Sequence, residues 1–96
     1  MAVRPALVIS HRPIGPNDLL IWVAMITNAA RDPWPGDIII ENSLDLGLIV
    51  LSKVRTAKIS TIELRSATRL GRLDPVTCAA AIDQIQANLV GRSPRE

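Results

Sequence analysis

Few side chains in this chain can do chemistry: one histidine, His11; one cysteine, Cys78; a scatter of serines and threonines; and eleven Lys and Arg against nine Asp and Glu. Metal catalysis finds little support, because one histidine and one cysteine come with no carboxylates grouped at ligand spacing. The five glycines are isolated, so there is no loop of the kind that cradles nucleotide phosphates. His11 has no nucleophile elbow to serve, and a serine-hydrolase constellation is not visible. What stays open is metal-free chemistry on RNA. There the substrate supplies its own 2′-hydroxyl as nucleophile, and arginine, serine, threonine and histidine suffice to position it, stabilise charge and move protons.

The elements that must hold such residues are short and apolar. Ala6 to Ile9 is a continuous aliphatic run behind Pro5, which reads as a buried strand, and "HRPIGPND" after it is a loop. "LLIWVAMIT" at 19–27 predicts a central strand and "IIIE" at 38–41 a short one. Between them "NAARDPWPGD" is a rigid turn whose Trp34 reads more often as a loop anchor packing onto the barrel than as a base stacker. "VLSKVRTAKISTIEL" at 50–64 predicts one or two strands partly open to water, with Arg55 and Lys58 projecting, and "TRLGRL" at 68–73 a last short strand or bend. Asp74 as N-cap and Pro75 at the first helical position start a helix. Its apolar residues are Val76, Ala79, Ala80, Ile82, Ile85, Leu89 and Val90, Gly91 ends it, and residues 92–96 are expected to fray.

Ninety-six residues with no internal repeat predict a single domain, 1–96. With no Phe or Tyr and two Trp, the core must be aliphatic, and aromatic base-stacking sheets of the RNA-recognition or single-strand-binding type are disfavoured. Net charge is only +2, yet Lys53, Arg55, Lys58, Arg65, Arg69 and Arg72 crowd one stretch against Glu63 alone, a local face for anions. Cys78 falls in the helical apolar pattern and is expected in the core. Neither a secretory leader nor an apolar run long enough for a membrane span is evident, so a cytoplasmic protein is expected.

"RPALVIS", "VAMITNAARDPWPGDIII", Gly47-Leu48, "SKVRTAKISTI" and "RLGRLDP" leading into a C-terminal helix occur in that order, and together they resemble the MazF/PemK family of growth-inhibiting toxins of type II toxin–antitoxin pairs. The resemblance covers Arg4 to about Val90. It implies a mainly β (α+β) fold, a small SH3-like open barrel of the MazF/CcdB type with a C-terminal α-helix. It also implies a homodimer and sequence-specific, metal-independent cleavage of single-stranded messenger RNA to a cyclic phosphate and a 5′-hydroxyl, with no cofactor. The partner it implies is a cognate antitoxin with an acidic, extended tail.

By the same resemblance the arginine of "RPA", Arg4, contacts the scissile phosphate, and the threonine ending "A-M-I-T", Thr27, is the second catalytic group. Ser10, Arg55 and Lys58 are the expected RNA contacts. Residue types alone read Arg4 as a terminal charge, Thr27 as a strand-ending threonine and His11 as a loop histidine. Members of the family usually open with a further strand before "RPA", where this chain has "MAV"; that reflects either a start set too late or a real truncation, and a real truncation leaves an edge exposed. The related CcdB toxins use this fold to bind a topoisomerase, which makes a non-catalytic, protein-binding toxin homologue the alternative.

Overall fold

A computed structural model describes residues 4–89; the frayed tail expected at 92–96 and the stop at Gly91 lie outside them. The runs of β-branched and aliphatic residues form four antiparallel strands, β1 (Ala6–Val8), β2 (Leu20–Asn28), β3 (Asp37–Ile40) and β4 (Ser52–Glu63), in the order β1-β2-β4-β3. One helix, α1 (Pro75–Leu89), follows. This is the mainly β fold with a C-terminal helix that the sequence predicts.

The segment 50–64 is one twelve-residue strand, not two. It carries a bulge: Ala24 pairs with Ile59 but Met25 pairs with Arg55, so Thr56, Ala57 and Lys58 have no partner on β2. Extra residues on one strand bend it and sharpen its twist. The sheet therefore curls into a half-barrel, with β1 and β3 at its edges. Residues 68–73 form neither strand nor helix; Leu70 and Leu73 instead lie against an apolar hollow lined by Leu7, Ile26, Leu46 and Leu48.

Inside the curl the core is aliphatic, as the composition demands: Ala24, Ile40, Leu48 and Val54 from the sheet side meet Ala81 and Ile85 of α1. The helix starts as its sequence directs. Asp74 Oδ2 accepts the Thr77 N–H at 3.0 Å, and that bond holds the Asp74 carboxyl below its ordinary value of 3.8. Its buried stripe differs from the one expected: half-buried Cys78 continues through Ala81 to Ile85, while Val76 and Leu89 face water at 79% and 77% exposure. A 3.6-residue period admits neighbouring stripes, and β3 and β4 select the one that the small Ala81 lets approach closely.

Candidate functional site

Antiparallel partners put their side chains on the same face, and alternate residues on opposite faces. The partners Ile26, Val54 and Ile38 turn into the core. Their neighbours Met25, Thr27, Lys53, Arg55, Asp37 and Ile39 therefore share the outer face, in two rows: Met25–Arg55–Asp37 and Thr27–Lys53–Ile39. The β1–β2 ladder extends the second row. Ala6 pairs with Met25, and the Ile26 N–H donates to the Pro5 carbonyl at 3.1 Å, one pair further on. Carried back one more residue, the register sets Arg4 across from Thr27. Arg4 is exposed and Thr27 half-buried. An arginine opposite a threonine at that register is a pairing suited to one phosphate, since a guanidinium and a hydroxyl both donate to anionic oxygens.

Beside that pair lies a buried ionic cluster. Lys53 is 3% exposed and Arg55 9%. Asp37 Oδ2 lies 3.2 Å from Lys53 Nζ and 3.4 Å from Arg55 Nη2, and it accepts the Trp34 backbone N–H at 3.0 Å. Lys53 Nζ also donates to the Arg31 carbonyl at 2.7 Å, and Arg55 Nη2 to that of Asp32. The guanidinium carbon of Arg55 sits 4.1 Å from the centre of the Trp34 ring, a cation–π contact. These bonds draw the loop 29–36 down over the outer face. Five consecutive residues, Ser52 to Thr56, are consequently buried on both faces.

The turn closing that loop needs glycine. Gly36 has φ +87°, and a Cβ there would stand 2.8 Å from Thr56 Oγ1, which donates to the Gly36 carbonyl at 2.7 Å. Two cations against one carboxylate leave the cluster with a net positive charge. Asp37 Oδ1 and Arg55 Nε are buried in it without hydrogen-bond partners. No group of three His, Cys, Asp or Glu side chains comes together for a metal ion among the described residues.

Residues 2–89 match the family described as PemK-like, MazF-like toxin of type II toxin-antitoxin system. The chain belongs to that toxin family. No curated protein matches it.

The structure separates the five residues singled out in the toxin's sequence. Arg4 and Thr27 lie at one end of the β1–β2 ladder. Ser10 lies at the other, six residues and roughly 20 Å from Arg4 at a strand's rise, where its Oγ accepts the Trp22 backbone N–H at 3.1 Å. His11 follows it on the exposed turn. Arg55, expected to project toward solvent, is held by Asp37, the Asp32 carbonyl and Trp34. Lys58 is exposed in the bulge and makes no ion pair among the described residues.

Sequence reasoning missed the clamp built by Lys53, Asp37 and Trp34. One signal was present: Lys53 and Arg55, two apart on a strand, must share a face, and Asp37 opens the strand beside them. No helix among the described residues is long and apolar enough to cross a membrane.

Proposed function

We propose that this toxin is a metal-independent endoribonuclease acting on single-stranded messenger RNA in the cytoplasm, as a homodimer restrained by its antitoxin. What supports this reading is the register of β1 against β2, which, continued two residues beyond the Ala6–Met25 pair, brings the exposed Arg4 opposite Thr27. A scissile phosphate over that pair would have its oxygens held by the guanidinium. The 2′-oxygen of the preceding ribose attacks phosphorus, the bond to the 5′-oxygen breaks, and a cyclic phosphate and a 5′-hydroxyl result. One proton leaves the 2′-oxygen and one reaches the 5′-oxygen, so no water is consumed. Arg4 and Thr27 act by donating to the phosphorane as its negative charge grows.

Purified toxin incubated with a long RNA in EDTA is expected to give discrete fragments ending in cyclic phosphate. Arg4→Ala is expected to stop both the cleavage and the growth arrest on expression, with an unchanged unfolding midpoint. Retained toxicity at equal abundance contradicts the role given to Arg4.

A second reading, a toxin that acts only by binding protein, either its antitoxin or a CcdB-like gyrase target, draws support from β1, which stands at one edge of the sheet among the described residues. Pro5 and Ile9 turn their backbone groups to β2, so those of Ala6 and Val8 point away from the sheet, and such an edge can take up another strand. RNA left intact in EDTA favours that reading.

A further inference from the structure

Trp34 is half in water, 41% exposed, on a loop that the protein holds unusually firmly. Pro33 and Pro35 fix the backbone on either side of it. Its own N–H is tied to Asp37, the carbonyls of Arg31 and Asp32 are tied to Lys53 and Arg55, and Thr56 holds that of Gly36. One face of the indole rests on the Arg55 guanidinium. An aromatic side chain that only anchored a loop would turn its rings into the core, where area burial is favourable. This one is propped on a charge and presented outward, on the face that carries Arg4 and Thr27.

The location is specific. Thr27 pairs with Lys53 and Met25 with Arg55, so Thr27 and Arg55 are diagonal neighbours, with α-carbons about 7–8 Å apart. A ring lying over Arg55 is within reach of a nucleotide flanking a phosphate held at Thr27. We propose that Trp34 is a stacking platform for one base of bound single-stranded RNA, the base next to the phosphate over Arg4 and Thr27. This rests on the endoribonuclease reading and adds a binding residue to it. Stacking tolerates any base, so Trp34 supplies affinity and placement, and its clamped loop has little freedom left to lose on binding. Trp22, 48% exposed but five residues along β2 from Thr27, is a built-in control.

The test uses 2′-O-methyl oligoribonucleotides of mixed sequence, which lack the attacking hydroxyl, and a matched abasic strand. In Trp22→Phe, whose one indole is Trp34, the base-bearing strand is expected to change the fluorescence saturably, and the abasic strand hardly at all. By anisotropy of labelled strands, Trp34→Leu is expected to weaken the base-bearing strand about 5- to 100-fold, the scale of a base–aromatic stack. It should leave abasic binding unchanged, and Trp34→Tyr should restore most of the loss.

Binding that leaves the Trp34 fluorescence unmoved overturns the stacking while sparing the nuclease reading. So does a Trp34→Leu loss of equal size on the abasic strand, which would show a loosened loop. Absence of binding to any strand overturns both. Should Trp34→Leu fail to fold, the fluorescence of Trp22→Phe still decides.

Discussion

Two pairs of cations in this toxin look alike in sequence and do different work. Lys53 and Arg55 are buried against Asp37, with their donors spent on the carbonyls of the loop 29–36. Arg4 and Lys58 stand in water. Removing a charge from water is costly unless it is paired and hydrogen-bonded, so the first pair are tied into the fold, and their bonds fix where Trp34 sits. The second pair make no ion pair among the described residues. Cations close in sequence thus need not share one surface; burial separates Lys53 and Arg55 from Lys58.

The sharpest way to break that contrast is Asp37→Ala. It strands two buried cations, and a loss of about 3–5 kcal/mol of folding stability is expected, measured by urea unfolding. A loss comparable to that of an exposed acid would show that the cluster is solvated and that the division is false.

A smaller effect is expected on the exposed side. Lys58→Ala should leave stability within about 0.5 kcal/mol. If Lys58 meets phosphate, the slope of log affinity for single-stranded RNA against log salt should fall by about 0.7. Lys53→Ala should do the reverse, costing stability far more than it changes the slope. Equal behaviour of the two variants would erase the comparison.

The smallest effect lies away from both regions, at the start of α1. The Asp74 carboxyl is held below its ordinary value by the Thr77 N–H, so its contribution is fully present above about pH 3.8 and is lost as pH falls through its lower, folded value. The unfolding midpoint should therefore carry an acid-sensitive component that sets in below about pH 3.8. Asp74→Asn, which caps as well without titrating, should shrink it. An unchanged acid response in that variant would assign the component elsewhere.

Strands, helix start and core composition were legible in the sequence because each depends on local signals: aliphatic runs, Asp74-Pro75 and the near-absence of aromatics. The burial of Ser52 to Thr56 was not. Alternation along 52–56 reads as one wet face and one dry face. The cover on the wet face comes from a loop twenty residues earlier, and only the register of β3 on β4 brings Asp37 beside Arg55. The surroundings of Trp34 were hidden for the same reason: its two prolines announce a rigid loop but not the charge beneath its ring. The neighbouring of Arg4 and Thr27 depends on β1 pairing with β2 at one register out of several, which no residue type in either strand specifies.

The central claim is that these two groups serve one phosphodiester. A double-mutant cycle on RNA cleavage in EDTA tests it most directly, comparing wild type, Arg4→Ala, Thr27→Ala and the double variant. Each single change is expected to cost about 100- to 1,000-fold in rate, and the double variant little more than the worse single one. Losses that multiply would place the guanidinium and the hydroxyl in separate tasks and contradict the account.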